Sequence, residues 1–255
     1  MKRLHLFEFE DLPWLPNVVR DGITDFLQHI ANEMNSFKSV APLLAEAMEA
    51  TGTTEILDMC SGGGGGMLKL QVALEEAMGH PVPMTLSDKY PNLPAFAEIQ
   101  KASGGKISFE REGIDATNVL SEKKAFRTMF RAFHHFRKPT ARQILQNAVD
   151  NNAPIAIFEQ TDRTWKGVRG VAIFIPIGVL MMTPSIRPRK TSRFLLTYLF
   201  PIIPFCLWWD GIVSALRTYT PEELQQMVDE IGATHYEWKI GDTGRANYLI
   251  GYPKV

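Results

Sequence analysis

A run of five glycines directly after a short apolar segment constrains this chain more than any other feature. The stretch TEILDMCSGGGGGMLKL (54–70) contains a strand-like ILD, the glycines 62–66 and then residues that favour a helix. Glycine lacks a side chain, so its backbone N–H groups can approach a ligand closely, and the following helix N-terminus attracts anionic groups. Five glycines in an ordinary loop would carry a large entropic cost on folding. The pattern therefore predicts a strand–loop–helix unit that binds a nucleotide-like cofactor.

The spacing of the loop separates two kinds of cofactor site. The dinucleotide fingerprint G-x-G-x-x-G/A needs a small residue where this chain has Met67, or Leu68 in the shifted register. This fit is poor. An NAD(P)-dependent oxidoreductase therefore stays only as an alternative.

The same loop resembles motif I of the class I S-adenosylmethionine-dependent methyltransferases, in which alternating glycines follow an acid. Asp58, Cys60, Gly62 and Gly64 stand in those places, with a cysteine where the pattern has its first glycine. The resemblance implies S-adenosyl-L-methionine as the cofactor. It also implies that Ser61, inside the motif, contributes to cofactor binding.

Further segments match that superfamily in the order that its fold requires. The apolar segment 82–87 ends before Asp88, the place of the acid that accepts hydrogen bonds from the ribose hydroxyls. Asp115 and Ala116, in EGIDATNV, match the position that meets the adenine edge. The segment RAFHHF (131–136) resembles the sequence after the fourth strand in the ubiquinone and menaquinone C-methyltransferases. The resemblance thus also assigns these residues to cofactor binding: Asp88, Lys89, Asp115, Ala116, Arg131 and Ala132.

The resemblance implies a three-layer α/β, Rossmann-like methyltransferase fold. Its seven-stranded, mostly parallel sheet would end in an antiparallel hairpin and carry a helical N-terminal cap and an apolar lid insertion. Apolar segments predict the strands at 56–58, 82–87, 107–109, 126–130, 155–158, 236–240 and 247–252. The expected parts are an N-terminal helical cap (1–50), a cofactor-binding core (51–161), the insertion (162–210), and a C-terminal helix and hairpin (211–255).

The expected chemistry is in-line transfer of a methyl group from the sulfonium of the cofactor to an acceptor. The protein mainly positions the reactants, and a general base is needed only if the acceptor still carries its proton. His134, His135 and Glu159 are the catalytic candidates, and histidine is attractive because its ordinary pKa lies close to neutrality. The two histidines have an alternative role, which is to cap the fourth strand and to hydrogen-bond the loop.

Substrate contacts are expected from the aromatic, helix-periodic N-terminal region and from the segment after the fifth strand. The candidates are Trp14, Asp162, Trp209, Asp210 and Arg217. The alternative for the aromatic residues is core packing. For Asp210 and Arg217 the alternatives are helix capping and a structural ion pair.

The insertion 162–210 is the most unusual part of the chain. Two uncharged apolar arms, 170–186 and 194–209, flank a basic tip that contains Arg187, Arg189, Lys190 and Arg193. Each arm is shorter than the ~20 residues that a membrane span needs and contains prolines, so we expect no transmembrane hairpin. The favoured interpretation is a lid over an apolar pocket, which indicates a small hydrophobic or lipid-like acceptor. Peripheral membrane contact through 170–209 and a subunit interface are the alternatives.

Composition fits a globular enzyme. The chain has 255 residues, 45% of them hydrophobic, and a formal net charge of −1, which argues against nucleic-acid binding. Two cysteines, Cys60 and Cys206, predict neither a disulfide framework nor a metal site. Early acids such as Glu8 argue against a signal peptide, so we expect a cytoplasmic protein, with a peripheral membrane location as the alternative. A non-catalytic membrane-associated protein that keeps the fold is an alternative of a different class, and the oligomeric state stays open.

Overall fold

The computed structural model describes residues 1–33, 37, 39–120, 125–244 and 246–254. The chain forms two compact units, each built from two segments. Met1–Met34 and Thr161–Tyr219 form one, here called the helical unit, and Asn35–Gln160 and Thr220–Val255 form the other, the sheet unit. This grouping differs from the expected parts. The segment Met1–Met34 of the predicted cap groups with the predicted insertion, whereas the helix Ala41–Thr51, also in the predicted cap, groups with the sheet.

The sheet unit contains, within the described ranges, one seven-stranded sheet. Its strands are β1 Ile56–Asp58, β2 Met84–Leu86, β3 Ile107–Phe109, β4 Phe126–Phe130, β5 Ile155–Glu159, β6 Tyr236–Asp242 and β7 Asn247–Pro253. Their order is β3-β2-β1-β4-β5-β7-β6, with β1 to β5 parallel and β7 antiparallel to both neighbours. The predicted fold class is confirmed. The second strand is shorter than expected, and the hairpin strands are longer.

The apolar strand sequences explain why the sheet lies in the middle of this unit. Every residue of β1, β4 and β5 is buried, as expected for parallel strands that helices cover on both faces. The helices of this unit are α2 Ala41–Thr51, α3 Met67–Met78, α4 Leu93–Ala102, α5 Lys138–Asp150 and α9 Pro221–Ile231. Because β1 has β2 on one side and β4 on the other, the strand order reverses there. The crevice at the carboxyl ends of β1 and β4 is where sheets of this kind bind ligands.

The helical unit is built around one small apolar core. Its helices are α1 Asn17–Glu33, α6 Trp165–Met182, α7 Thr191–Phe194 and α8 Ile202–Arg217, with a 3-10 turn at Thr183–Ser185 and a π-helical turn at Leu195–Leu199. The core joins Ile23 and Phe26 of α1 to Val179 of α6 and to Ile203 and Leu207 of α8. The amphipathic α1 therefore covers one side of the apolar arms.

The first apolar arm forms a longer helix than its uncharged stretch suggested. Among the described residues, one helix, Trp165–Ser185, is long and apolar enough by length and composition to cross a bilayer. The segments Thr191–Leu199 and Ile202–Arg217 would meet the same test only as one broken span with a bend of 75°. The helix begins before the uncharged stretch and runs through Pro176. The prediction that this arm is too short to span a membrane was therefore wrong, and other contacts must decide its role.

The basic tip differs from the solvated tip that a lid would have. Arg193 is only 1% exposed, and its Nη1 donates to Oδ2 of Asp25 on α1 at 2.5 Å. Its Nη2 donates to the carbonyl oxygens of Ile186 at 2.9 Å and Pro188 at 2.6 Å. Lys190 Nζ donates to the same Asp25 carboxylate at 2.8 Å. These two basic residues therefore hold the tip against α1, whereas the neighbouring arginines 187 and 189 are exposed.

We expect Arg193→Met to lower the free energy of unfolding by roughly 2–4 kcal/mol, because buried carbonyl oxygens and part of a carboxylate lose their donor. Arg189→Met makes the same change at an exposed position of the same tip and should cost within about 0.5 kcal/mol. Urea denaturation of the two variants measures the difference. Equal costs would contradict the structural role of Arg193.

Candidate functional site

The glycine loop leaves β1 in a left-handed backbone conformation that glycine adopts at no steric cost. The φ angles are 54° at Gly62, 66° at Gly64 and 87° at Gly66. A Cβ atom at Gly64 would meet the Ile99 side chain, and one at Gly66 would meet the Phe37 ring. At Gly62 nothing lies within 4 Å of that position. Packing therefore requires two of these glycines, while the space beside the first is open.

Cys60 has a backbone that matches the motif even though its side chain does not. Its φ is 56°, which is uncommon for a residue with a Cβ atom. This is the position at which motif I has a glycine, so the conformation of the motif is kept. Burial, with a smaller contribution from Asp88, raises the pKa of the Cys60 thiol. The side chain is thus a protonated thiol and not a nucleophilic thiolate.

Asp58 joins the loop to two strands at the point where the strand order reverses. Its Oδ2 accepts a hydrogen bond from the Ser61 hydroxyl at 2.6 Å, and its Oδ1 accepts one from the Thr128 hydroxyl on β4 at 2.8 Å. Burial raises the pKa of the Asp58 carboxyl to about 7, and the hydrogen bonds of Ser61 and Thr128 lower it only in part. This carboxyl therefore titrates near neutrality.

Asp88 follows β2 and contacts the loop directly. Its Oδ2 accepts the backbone N–H of Gly62 at 2.9 Å, and its Oδ1 accepts that of Tyr90 at 2.9 Å. The carboxylate is therefore oriented by backbone donors at the open glycine of the loop. A diol offers two O–H donors, which is what a carboxylate in this position can accept.

Asp115 lies beside Lys89, and both are among the residues that the resemblance assigns to cofactor binding. Lys89 Nζ donates to Asp115 Oδ2 at 2.8 Å, and Thr117 donates to Oδ1 from its backbone N–H at 2.9 Å and its hydroxyl at 2.7 Å. Hydrogen bonding by Lys89, followed by that of Thr117, lowers the pKa of Asp115 to about 2. An ionised carboxylate therefore lies close to the end of β2.

Arg131 follows β4, on the other side of the reversal point. It has a φ of 52°, and its Nη2 donates to the Gly65 carbonyl at 3.4 Å. Its guanidinium carbon lies 5.7 Å from the centre of the Phe37 ring. The neighbouring Ala132 is buried, and so is Ala116, which directly follows Asp115. The loop is therefore contacted from both sides of the crevice.

His134 and Glu159 form a buried pair at the carboxyl ends of β4 and β5. Glu159 Oε2 lies 2.8 Å from Nδ1 of His134, and its Oε1 accepts the His134 backbone N–H at 3.0 Å. Burial alone raises the pKa of the Glu159 carboxyl, but the charge and hydrogen bonds of His134 outweigh it, and the pKa is lowered. The His135 ring, which is less buried, lies 4.3 Å from the His134 ring between centres.

The predicted substrate residues all belong to the helical unit. Trp14 is 67% exposed. Asp162 is exposed, and its Oδ1 accepts the backbone N–H of Thr164 at 2.9 Å, just before α6 begins. Trp209 Nε1 donates to the carbonyl of Phe7 at 2.9 Å. Asp162 and Trp209 are therefore engaged in local structure within this unit.

Asp210 and Arg217 hold the N-terminal segment against α8. Asp210 Oδ1 accepts the backbone N–H of Phe9 at 2.6 Å. Arg217 Nη1 lies 3.1 Å from a Glu8 oxygen and 2.9 Å from an Asp11 oxygen. Burial raises the pKa of the Asp210 carboxyl to about 6. These contacts favour the structural alternative for both residues over a substrate role.

Sequence reasoning missed Thr128 and Phe37. A hydroxyl residue inside the otherwise buried strand FRTMF is a recognisable signal, since a buried polar group needs a partner, and that partner is Asp58. Phe37 carried no such signal, because its ring packs on the loop only through the tertiary fold.

Comparisons with known proteins agree with this geometry at the level of the fold. No protein-family model matches the sequence, and neither does any curated protein. Among solved structures of similar fold, the plantazolicin methyltransferase BpumL in complex with S-adenosylhomocysteine is 12% identical; the match covers 97% of this chain and 93% of that chain, with a TM-score of 0.51. An S-adenosylmethionine-dependent methyltransferase from Aquifex aeolicus is 14% identical, with 88% of this chain and 93% of that chain covered and a TM-score of 0.50. Human N-acetylserotonin methyltransferase in complex with S-adenosylmethionine is 14% identical, with 90% of this chain and 55% of that chain covered and a TM-score of 0.50.

These likenesses concern the fold. The chain has the fold of the class I S-adenosylmethionine-dependent methyltransferases, and the predicted resemblance to that superfamily is confirmed for the fold. The narrower resemblance to quinone C-methyltransferases gains no support from the matched structures. The chain spans 55%, 64% and 55% of the length of three of the methyltransferases that it matches.

We expect Asp58→Asn to flatten the pH dependence of stability between about pH 4 and about pH 7. Folding raises the Asp58 pKa from 3.8 to about 7, so in this interval the folded protein holds a proton that the unfolded chain releases. This proton contributes on the order of 4 kcal/mol to the free energy of unfolding. The contribution is complete below the unfolded-state pKa and is lost as the pH rises through the folded-state pKa. Asparagine cannot titrate, so the variant should lack this loss.

Denaturant unfolding at pH values on either side of the interval checks this expectation. Asp150→Asn, at an exposed carboxylate of α5, is the matched control and should keep the wild-type dependence. An unchanged dependence in Asp58→Asn would mean that this carboxyl is ionised throughout.

Proposed function

We propose that this protein transfers a methyl group from S-adenosyl-L-methionine to a small, hydrophobic or lipid-like acceptor. The observation that carries the proposal is the Asp88 carboxylate, which is oriented at the open Gly62 of a left-handed glycine loop. The fold supports the same cofactor class, since matched structures were solved with S-adenosylmethionine or S-adenosylhomocysteine. The apolar arms of the helical unit support a hydrophobic acceptor.

The residues at the carboxyl ends of the strands fit this cofactor. Asp88 would accept hydrogen bonds from the ribose hydroxyls, and the backbone of 62–66 would approach the amino-acid part because no side chain intervenes. Asp115, with Thr117, would meet the adenine side. When bound, the cofactor supplies an electrophilic methyl group on a positively charged sulfur. The protein's part is to orient the acceptor and to keep competing water away.

A hydroxyl acceptor needs a base, and the His134–Glu159 pair suits that task. The bond to Glu159 makes Nδ1 of His134 the donor nitrogen, so that Nε2 is the nitrogen that can accept a proton. Glu159 keeps its negative charge because its pKa is lowered, and this charge stabilises the imidazolium that proton transfer produces. His134 is therefore our candidate base, and Glu159 is the residue that positions it.

We expect Asp88→Ala to weaken S-adenosylhomocysteine binding by about 1.5–3 kcal/mol, because hydrogen bonds to a charged acceptor are lost. Isothermal titration measures this, and wild type should bind neither NAD nor NADP. Asp150→Ala removes an exposed carboxylate from α5 and should leave the affinity unchanged. Binding of NADP alone would overturn the assignment in favour of an oxidoreductase. Unchanged affinity in Asp88→Ala would show that this acid only shapes the loop.

We expect His134→Gln to reduce methyl transfer by a factor on the order of 10²–10⁴ while the affinity for S-adenosylhomocysteine is kept. The assay follows labelled methyl groups into a panel of long-chain phenols, quinols and fatty acids. Glu159→Gln should shift the pH–rate profile, because it removes the charge that supports the imidazolium. His80→Gln, at an exposed histidine outside the site, is the control with near wild-type turnover. Parallel losses of cofactor binding and thermal stability in His134→Gln would favour the strand-capping role instead.

A further inference from the structure

The first apolar arm exposes large hydrophobic side chains on one face of α6. The exposed residues Ile173, Phe174, Ile177, Leu180 and Met181 recur at helical spacing, so they share one side of the helix. Phe174 is 70% exposed and Met181 is 75% exposed. Surfaces of this kind on a folded protein mark a binding site.

The second arm extends this surface. The Tyr198 hydroxyl donates to the carbonyl oxygen of Leu180 at 2.6 Å, which keeps the π-helical turn beside the exposed part of α6. The residues that follow are also exposed and apolar. We define the apolar face as Ile173, Phe174, Ile177, Leu180 and Met181 of the first arm with Leu199, Phe200, Ile202 and Phe205 of the second.

The other side of these helices is covered by α1, whose outer surface is polar. Ile23 and Phe26 of α1 pack in the core around Val179, away from the exposed side of α6. Asp21 and Glu33 of α1 are exposed to water. The helical unit is thus amphipathic as a whole, with charged groups on one side and the apolar face on another.

The segment that carries the apolar face contains basic residues but no acidic ones. Between Asp162 and Asp210 the sequence contains no acidic residue, whereas its basic residues are Arg163, Lys166, Arg169, Arg187, Arg189, Lys190 and Arg193. Lys166 and Arg169 are exposed at the start of α6, and Arg187 and Arg189 are exposed just beyond the end of that helix. Cations are unfavourable at a helix N-terminus, so helix stability does not account for the first pair. The exposed Trp165 beside them is the residue type that favours a membrane interface.

We propose that the apolar face inserts into the surface of an anionic lipid bilayer. In this arrangement α6 lies in the plane of the interface, and the basic residues at its two ends contact lipid phosphates. The proposal concerns the helical unit alone and does not depend on the proposed catalytic function.

Two other occupants fit the structure less well. A membrane-spanning arrangement would bring the charged outer surface of α1 into hydrocarbon, because α1 packs on the same helices. A second copy of the chain, related by a twofold axis, would bring like-charged basic clusters towards one another. An anionic surface instead complements both the apolar face and its basic margins.

Co-sedimentation of the full-length protein with lipid vesicles tests the proposal. Wild type should pellet with vesicles of phosphatidylglycerol and phosphatidylcholine at low salt, and less at high salt. Arg187→Gln/Arg189→Gln should weaken this binding by about 25-fold, at roughly fivefold for each basic residue near the surface. Phe174→Glu/Met181→Glu should weaken it at least as much. Both changes are at exposed positions, so thermal unfolding should stay at the wild-type value.

Matched controls lie in the sheet unit. Val72→Glu adds a charge at an exposed apolar position of α3, and Lys101→Gln/Arg111→Gln removes two exposed basic residues. These variants should pellet like wild type. The proposal is overturned if wild type does not bind anionic vesicles, or if the controls lose binding to the same extent. Protein that remains in the membrane after alkaline carbonate extraction would show a span. A dimer that Phe174→Glu/Met181→Glu dissociates, without vesicle binding, would show a second copy.

Discussion

The left-handed turn between β1 and α3 is the constraint on which the sheet unit depends. A chain that leaves a buried parallel strand and must immediately start a helix needs backbone angles that residues with a side chain disfavour. Here Cys60 adopts such an angle despite its side chain, and the later positions with positive φ in the turn are glycines. Core side chains then fix the loop, since Phe37 occupies the space that a side chain at Gly66 would need. Packing of the protein's own core therefore shapes the loop, and such preorganisation lowers the entropic cost of ligand binding.

The same turn organises the charges at the carboxyl ends of the strands. Asp58 is buried and titrates close to neutrality, whereas Asp115 is ionised because Lys89 and Thr117 donate to it. Glu159 is buried as well, but His134 keeps its pKa low. The environments of these carboxylates thus keep Asp115 and Glu159 ionised, while Asp58 alone has a raised pKa. A ligand that carries both a diol and a positive charge would find acceptors whose negative charge is already stabilised by protein donors.

The sequence predicted most of the sheet because buried parallel strands are short apolar runs that helix periodicity does not explain. The bounds of β1, β3 and β4 agree with the prediction. The second strand begins only at Met84, because Pro83 has no N–H to offer the sheet. Long-range partners escaped prediction for a different reason. Nothing near Arg193 in the sequence indicates that it is buried against Asp25, because that contact exists only after α1 has packed on the arms.

The exposed arms bear on the acceptor as well as on location. A lid that was closed over its own pocket would hide its apolar side chains, whereas Phe174 and Met181 remain open to solvent. Leaving such surface in water costs about 25 cal/mol for each Å² that a partner would cover, so its persistence on a folded unit points to a partner. A lipid-like acceptor accumulates in the bilayer and is scarce in water. A protein that binds the bilayer surface therefore meets such an acceptor at a higher effective concentration than a protein in bulk solution does. The proposed membrane contact and the proposed acceptor class are thus physically consistent, and both rest on the exposed side chains of the apolar arms. The cofactor assignment rests instead on Asp88 and the glycine loop, so it can hold where the membrane contact fails.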